Sequence, residues 1–223
     1  MSKPPRSETN ARTLAAYEAS AELYMRAQYA TPPQGLLRFM DTIADRLAAG
    51  ASMLEIGSAT GQDAELLEQR GLLVRRSDAA EAFVRSLRAQ GFEADLLNVI
   101  SDELGGPWDG IYANAVFLHL TAEELGAVLA RTAAVVVPGG LLAFTLKEGD
   151  GAAWSSHKLE RPRHFTYWRE EPLRELIAGS PWELEVLEHA TGRKDDWLQC
   201  LCRAGGRAGP PAQECGSLTV SGQ

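Results

Sequence analysis

Short apolar segments alternate with amphipathic segments along most of the chain, and this alternation limits the possible folds more than any other feature. The short segments are bounded by turn residues, and the longer ones carry apolar residues at helical spacing. The strand candidates are 52–56, 72–76, 93–98, 108–113, 141–146, 182–189 and 197–203, and the helix candidates are 14–30, 35–47, 63–69, 81–90, 122–135 and 171–178. Strands that alternate with helices predict parallel pairing through right-handed crossovers.

The predicted fold class is α/β, with a Rossmann-like, doubly wound, seven-stranded sheet in a three-layer α/β/α arrangement. The sheet is mostly parallel, but the last two strands have no helix between them, so the last strand is expected to be antiparallel. A chain of 223 residues with 45% apolar content supports one domain with a sizeable core. We expect a flexible segment 1–13, a domain over 14–203 with a lid insertion at about 147–169, and a disordered tail over 204–223.

The charge balance and the lack of long apolar runs argue against two classes of partner. The chain has 22 basic and 30 acidic side chains, with a net charge of -8. An acidic surface repels a phosphate backbone, so nucleic acid is not the expected partner unless a local basic patch overrides the average. No apolar run reaches the ~20 residues that span a bilayer, and the polar segment 1–13 lacks the apolar core of a secretory signal. We therefore expect a cytoplasmic protein that does not bind membranes.

The cysteines favour the same compartment. Cys200, Cys202 and Cys215 show no disulfide-framework spacing, which is typical of a reduced setting. Cys200 and Cys202 are one residue apart in an apolar run, so we expect both side chains on one strand face, packed as small apolar groups. The histidines and acidic residues show no metal-ligand spacing, and no metal is expected.

The loop after the first predicted strand, within the segment Leu54-Glu55-Ile56-Gly57-Ser58-Ala59-Thr60-Gly61-Gln62-Asp63, is the main candidate for ligand binding. Ligands of doubly wound sheets bind outside the carboxyl ends of the strands. Two glycines allow a tight turn and close approach of a ligand, although a purely structural turn would use them as well. Asp78 follows on the next strand, where a carboxylate can accept hydrogen bonds from both ribose hydroxyls of an adenosine group. The alternative for Asp78 is the capping of the next helix.

The same loop discriminates between adenosine-containing cofactors. A dinucleotide fingerprint requires a third glycine directly after the loop, where the helix N-terminus meets the pyrophosphate. Here Gln62 follows Gly61, and Ala59 stands between the two glycines. Glu55 adds negative charge, which suits a positively charged sulfonium cofactor better than an anionic dinucleotide.

These segments resemble the class I S-adenosylmethionine-dependent methyltransferases. Residues 55–61 resemble motif I of that family, whose usual form is acidic-x-Gly-x-Gly-x-Gly, with Ala59 in place of the middle glycine. Asp78 resembles the ribose-binding acidic residue, 113–120 the fourth-strand segment and 137–140 the turn before the fifth strand. The similarity covers roughly 14–203.

The resemblance implies S-adenosylmethionine as the cofactor and S-adenosylhomocysteine as its product. By this resemblance, Gly57, Ala59 and Gly61, which follow the acidic Glu55, would contact the methionine part of the cofactor, and Asp78 would contact its ribose. Asn98 and Val99, or else Asp95, would contact the adenine. Asn114 and Ala115 would lie beside the transferred methyl group. Tyr17 and Tyr24 resemble tyrosines that cover the cofactor, and ordinary packing of a helix face is their alternative.

The polar, aromatic-rich segment after the fifth predicted strand is expected to overhang the cofactor, because it also follows a strand carboxyl end. Methyl transfer from a sulfonium is an in-line displacement in which positioning supplies most of the catalysis, and a base is needed only where the acceptor loses a proton. The catalytic candidates are His119, His164, His157 and Glu148. Each of these side chains also has an ordinary structural alternative.

We therefore expect a methyltransferase that moves a methyl group to an N, O or C atom of a small-molecule metabolite, as a monomer or homodimer. A methyltransferase acting on transfer RNA would share the core but needs a basic rim. The candidate rim residues Arg161, Arg163, His164 and Arg169 are interleaved with glutamates. A non-catalytic adenosyl-binding protein is the third possibility, in which Ala59 reflects a weakened pocket.

Overall fold

The computed structural model describes residues 7–27, 31–192 and 194–205. Its α-helices are α1 (Glu8–Arg26), α2 (Gln34–Ala44), α3 (Gln62–Glu68), α4 (Glu81–Ala89), α5 (Ala122–Ala133) and α6 (Glu170–Ala178), with a short 3-10 turn at Phe117–His119. Its strands are β1 (Ser52–Ile56), β2 (Leu73–Asp78), β3 (Ala94–Leu96), β4 (Trp108–Ala113), β5 (Val136–Glu148), β6 (Ala152–Ser155), β7 (Arg163–Trp168), β8 (Trp182–Thr191) and β9 (Asp196–Ala204). None of the helices in these ranges is both long and apolar enough to cross a membrane.

The sheet confirms the Rossmann-like prediction. Strands β3-β2-β1-β4-β5 lie side by side and are parallel, and the order of the strands reverses between β1 and β4. On the other edge of β5, β9 pairs in the antiparallel sense, and β8 pairs with β9 in the same way. The predicted antiparallel ending is therefore correct. The reversal of strand order between β1 and β4 places the expected ligand site at the carboxyl ends of these two strands.

Two apolar clusters on opposite faces of the sheet make up the core. Successive residues of β4 belong to different clusters: Ile111 and Ala113 pack with apolar residues of α5 and α6, and Tyr112 packs with apolar residues of α2 and α3. This division follows from the alternation of side chains along a strand and confirms the three layers. Cys200 and Cys202 are buried in the same cluster, as the spacing of one residue predicted. Cys215 lies outside the described residues.

The prediction of seven strands misses a hairpin. Strands β6 and β7 form an antiparallel pair within the segment that we expected only to interrupt the sheet. Lys147 of β5 pairs with Tyr167 of β7 on one edge and with Trp197 of β9 on the other. Strand β7 therefore lies on the β4 side of β5, past the end of β4. The hairpin covers the carboxyl edge of the sheet, which is where a lid was expected.

Helix α1 begins earlier than predicted. Ser7 is its N-cap, and the Ser7 hydroxyl accepts a hydrogen bond from the Asn10 N–H at 3.1 Å. Residues 8–13 therefore belong to a capped helix, although a flexible segment 1–13 was expected. The helix contacts the hairpin, since Thr13 Oγ1 accepts from the His164 N–H at 3.1 Å. Residue 204, which was assigned to the tail, ends β9, and 206–223 lie outside the described residues.

Candidate functional site

The loop between β1 and α3 needs its glycines for conformation and for space. Gly57 and Gly61 have φ angles of 77° and 82°, in the left-handed region that favours glycine. A Cβ on Gly57 would lie 2.3 Å from Val116 Cγ2. The backbone N–H groups of Gly57 and Ser58 both donate to the Ser77 carbonyl at 2.8 Å. The loop is thus tied to the end of β2, where Asp78 follows.

Asp78 joins this loop to the start of α4. Its Oδ2 accepts from the Ala59 N–H at 3.0 Å, and its Oδ1 accepts from the Ala80 N–H at 2.8 Å. The side chain is 8% exposed, and burial raises its pKa to about 6. Ala80 is itself the N-cap of α4, so Asp78 holds the residue before the helix and does not cap its first turn. A third backbone hydrogen bond comes from Ala79, so one of the roughly four acceptor positions of the carboxylate is left for a ligand.

Two more carboxyl groups lie at the same edge of the sheet. Glu55 is 2% exposed, and burial, together with the nearby charge of Asp63, raises its pKa to about 8. The Oε2 atom of Glu55 has no hydrogen-bond partner among the described residues. Asp63 accepts from Asn114 Nδ2 at 2.8 Å and from the Tyr112 hydroxyl at 3.2 Å, and burial raises its pKa. The edge is therefore acidic and only partly satisfied.

Asn114, at the end of β4, is held from two sides. Its Nδ2 donates to Asp63, and its Oδ1 accepts from the Thr145 hydroxyl at 2.7 Å. The Thr145 oxygen also accepts from the Ala115 N–H at 2.8 Å. Sequence reasoning missed Asp63 and Thr145 as site residues. The signal for Asp63 was available, because a carboxylate in the first turn of the helix after the glycine loop faces the switch point.

The residues proposed for the adenine have different surroundings. Asn98 is buried after β3, where its Nδ2 donates to Asn10 Oδ1 of α1 at 2.8 Å. Val99 is buried beside it. Asp95, the alternative adenine contact, forms a double hydrogen bond with Arg75 at 2.7 Å, and this guanidinium lowers the pKa of Asp95. Asp95 is thus held in an ion pair on the strand surface, whereas Asn98 and Val99 are buried after β3.

His119 is a buried, neutral imidazole with a defined tautomer. Its Nδ1 lies 2.6 Å from the His164 carbonyl oxygen, which can only accept, so Nδ1 carries the proton. Nε2 is then an acceptor, and the Tyr17 hydroxyl donates to it at 2.8 Å. Burial lowers the pKa of His119 to about 3. The nearby cation that faces this network is Arg163, which donates to the Tyr17 oxygen at 3.0 Å.

We expect Tyr17→Phe to destabilise the protein by roughly 1–3 kcal/mol, because the change leaves the buried Nε2 acceptor of His119 without a donor. Tyr24→Phe is the matched control. The Tyr24 ring packs edge-on against Tyr17 and Phe83, and its hydroxyl has no hydrogen bond among the described residues. Urea unfolding measures both free energies. Equal losses in the two variants would show that the Tyr17–His119 hydrogen bond contributes nothing.

The structure does not bring the other three catalytic candidates into contact with the glycine loop. His157 is exposed, with its Nε2 2.9 Å from Lys194 Nζ. The His164 ring packs against Trp154 with centroids 5.5 Å apart, and its buried Nδ1 has no partner among the described residues. Glu148 Oε2 lies 2.8 Å from His189 Nδ1. These side chains therefore belong to the lid, and only His119 lies beside Tyr17.

His189, which carried no signal in the sequence, bridges two carboxylates. Its Nε2 lies 2.9 Å from Glu170 Oε2, and these hydrogen bonds to Glu170 and Glu148 raise the pKa of His189. The cluster is half exposed and lies on α6, β5 and β8. Glu148, a catalytic candidate, is thus engaged in an ion-pair group outside the His119 network.

The basic residues of the lid that could form a rim for a nucleic acid differ in their surroundings. Arg163 is 5% exposed, and Arg169 is paired with Asp150 at 2.5 Å. Arg161 and Arg169 are both exposed. Within the described ranges, no group of three or more His, Cys, Asp or Glu side chains is arranged to hold a metal ion.

Solved structures with the same architecture were found by comparison. The 1,6-didemethyltoxoflavin-N1-methyltransferase of Burkholderia thailandensis, with bound 1,6-didemethyltoxoflavin and S-adenosylhomocysteine, superposes with a TM-score of 0.69 at 17% identity over 92% of this chain and 93% of that one. The chain has the fold of the class I S-adenosylmethionine-dependent methyltransferases. The magnesium protoporphyrin IX methyltransferase of Synechocystis PCC 6803 with bound S-adenosylmethionine gives a TM-score of 0.69 at 14% identity, covering 91% and 100% of the two chains.

The fold by itself does not decide the reaction. The [4+2]-cyclase SpnF superposes with a TM-score of 0.70 at 15% identity, over 92% of this chain and 100% of that one. A fold hosts several chemistries, and the residues of the site discriminate between them.

Sequence relatives are few and partial. No model of a known protein family matches the chain. An uncharacterized methyltransferase of Geobacillus kaustophilus (strain HTA426) is 33% identical over 136 residues, which are 57% of this chain and 60% of the relative. Hemagglutinin 1 of Eikenella corrodens is 29% identical over 150 residues, or 65% of this chain and 48% of the relative. The chain thus matches 48% and 60% of the lengths of these curated relatives.

Proposed function

We propose that this chain is a methyltransferase that uses S-adenosylmethionine and moves its methyl group to an N, O or C atom of a small-molecule metabolite. The buried Glu55 carboxyl group beside the glycine loop carries the proposal. A buried polar atom without a partner costs free energy, so Oε2 of Glu55 is suited to a ligand that supplies one. The sulfonium and ammonium groups of S-adenosylmethionine are cations that would favour the ionised form of Glu55, whereas the pyrophosphate of a dinucleotide would disfavour it.

The residues around the loop fit such a cofactor. The Asp78 carboxylate lies at the end of β2, where we place the ribose, and Asn98 and Val99 are buried after β3, where we place the adenine. Asn114 and Ala115 end the neighbouring strand, where we place the methyl group. When bound, the cofactor supplies a methyl group on a positively charged sulfur. The task of the chain is then to align an acceptor with it.

His119 is the candidate base for an acceptor that must lose a proton, and its pKa of about 3 makes it a weak base that suits an acceptor whose proton is already acidic. The His164 carbonyl holds its Nδ1–H, and this leaves the Nε2 lone pair on the side of Tyr17. A proton from an acceptor would be taken up at Nε2, provided that the acceptor displaces the Tyr17 hydroxyl from this atom. An acceptor without an acidic proton would need His119 only for position.

Helix α1 and the β6–β7 hairpin favour a small acceptor. They cover the carboxyl edge of the sheet and meet each other through Thr13 and His164. Tyr17 and Tyr24 of α1 pack against Phe83 of α4. An acceptor that fits between this cover and the sheet is limited in size. The interrupted basic residues of the lid argue against transfer RNA.

We expect Asp78→Ala to weaken the binding of S-adenosylhomocysteine at least tenfold, about 1.4 kcal/mol, because the ribose loses its carboxylate partner. Isothermal titration calorimetry measures the affinity. Asp95→Ala is the matched control, since that carboxylate binds Arg75 instead, and its affinity should equal that of the unmodified chain. An unchanged affinity in Asp78→Ala would place the ribose elsewhere.

The reaction itself is tested with methyl-labelled S-adenosylmethionine and a metabolite extract. We expect label in a small-molecule product. Label in the RNA of a parallel incubation would favour the transfer RNA alternative. Binding of S-adenosylhomocysteine without any labelled product would favour a non-catalytic adenosyl-binding protein.

A further inference from the structure

Arg163 is a buried cation without an acidic partner. Arg163 is 5% exposed, and no carboxylate of the described residues lies within ion-pair distance of its guanidinium group. Its NH1 donates to the Tyr17 hydroxyl and its NH2 to the His157 carbonyl, both neutral groups. A buried charge is normally paired, because desolvation is costly. The folded chain therefore keeps a charge whose cost no described acidic group offsets.

The guanidinium is positioned to receive a planar anion. Its carbon lies 5.3 Å from the centroid of Tyr17 and 5.0 Å from the centroid of Phe165, so aromatic rings flank it. Its Nε is buried and has no hydrogen-bond partner among the described residues. NH2 donates one hydrogen to the His157 carbonyl, which leaves Nε–H and one NH2 hydrogen to form a fork toward a ligand. This is the edge that binds a carboxylate through two parallel hydrogen bonds.

The surroundings of Arg163 are positive. Burial and the charges of Arg163 and Lys147 lower the pKa of Lys158, and the charges of Arg163 and Lys147 contribute to the lowered pKa of His119. Lys147 is paired with Asp195 at 2.8 Å, whereas the Lys158 ammonium lies 4.1 Å above the Tyr24 ring. The charged groups whose effects are coupled to Arg163 are therefore cations, in contrast to the carboxyl groups of Glu55 and Asp63 at the sheet edge.

We propose that Arg163 binds an anionic group, of which a carboxylate fits the fork best, on the methyl acceptor. This inference rests on the proposed function and names the substrate class of the same site. The contacts of Arg163 favour the acceptor over the cofactor, whose amino-acid end also carries a carboxylate. Its contacts are to α1 and to the lid, and none is to the glycine loop, Asp78 or Asn114. The Tyr17 hydroxyl joins it to His119, the candidate base.

The test compares Arg163→Met with Arg161→Met. Both changes remove one arginine charge, but Arg161 is exposed. A metabolite extract is divided by anion exchange into retained and unretained fractions, and each is incubated with methyl-labelled S-adenosylmethionine. We expect labelled product from the retained fraction, a loss of at least tenfold in its formation with Arg163→Met, and no loss with Arg161→Met. Product formed mainly from the unretained fraction would overturn the proposal.

Calorimetry with S-adenosylhomocysteine separates the two possible carboxylates. We expect Arg163→Met to bind it as tightly as the unmodified chain does. The second ligand is 5′-methylthioadenosine, which lacks the amino-acid end. If Arg163→Met weakens the binding of S-adenosylhomocysteine tenfold but leaves the affinity for 5′-methylthioadenosine unchanged, Arg163 binds the cofactor and the proposal is overturned. If the unmodified chain binds no S-adenosylhomocysteine, the proposed function itself fails, which is a different result.

Thermal unfolding without ligand shows whether the variant folds. A buried charge without an acidic partner costs free energy that an apolar side chain of similar length does not cost. We therefore expect the melting temperature of Arg163→Met to equal or exceed that of the unmodified chain. A cooperative transition at or above that temperature, combined with lost product, supports a binding role. A marked fall in melting temperature would assign Arg163 to stability and overturn the proposal.

Discussion

Glu55→Gln is expected to stabilise the ligand-free protein at pH 9 by about 5 kcal/mol and to leave its stability at pH 4 nearly unchanged. Folding raises the pKa of Glu55 from 4.5 to about 8, mainly through burial. The folded chain therefore binds this proton more tightly than the unfolded chain does. The unfolding free energy then falls as the pH rises from about 4.5 to 8, at about 1.4 kcal/mol for each pKa unit. Glutamine keeps the shape of the side chain and removes this titration.

Urea unfolding at pH 4, 7 and 9 measures the difference between the two proteins. Glu175→Gln, on the exposed face of α6, is the matched control because it removes the same charge where water already solvates it. The control should show a small difference that hardly changes with pH. A difference between Glu55→Gln and the unmodified chain that is the same at all three pH values would refute the assignment of a raised pKa to Glu55.

Gly57→Ala is expected to destabilise the protein by about 2–5 kcal/mol, the second large effect. The φ angle of 77° costs an alanine roughly 1–2 kcal/mol in the left-handed region. The new Cβ would also lie 2.3 Å from Val116 Cγ2, and such overpacking typically costs about 1–3 kcal/mol. Urea unfolding gives the sum of the two effects.

A double-mutant cycle with Val116→Ala separates them. This second change removes Cγ2, so Gly57→Ala in that background should cost only the roughly 1–2 kcal/mol of backbone strain. The coupling energy between the two positions is then the cost of the steric contact. Additive free energies would mean that the loop moves away from Val116 at no cost.

The sequence predicted the fold and much of the donor side of the site, because both depend on local patterns. Alternating apolar segments specify strands and helices, and the missing third glycine after Gly61 already disfavoured a dinucleotide. The prediction missed β6 and β7 because this segment is polar and its alternation is partial. It also began α1 too late, because the capping of Ser7 is a weaker signal than the apolar helix face that starts near Leu14.

The candidate contacts of Asp78 also come from neighbouring parts of the fold. Asp78 and Ala59 are 19 residues apart, and adjacent parallel strands bring them together once β1 and β2 pair. Asp95 illustrates the limit of this reasoning, since β3 also follows the pattern, yet its side chain is taken by Arg75 on the neighbouring strand. A pattern places a residue on a strand but does not show which neighbour uses its side chain.

The sequence by itself determined the layer architecture, the glycine loop and the carboxylate that follows it, since each depends on short-range periodicity and on the conformations that glycine allows. Only the tertiary structure decided the acceptor side. The Tyr17 hydroxyl meets His119 across 102 positions of the chain and Arg163 across 146. Such contacts depend on how α1 and the hairpin close over the sheet, and no local pattern encodes that closure. Arg163 is buried without an acidic partner, whereas Arg161, two residues away, is exposed. This difference between the two arginines exists only in the folded chain.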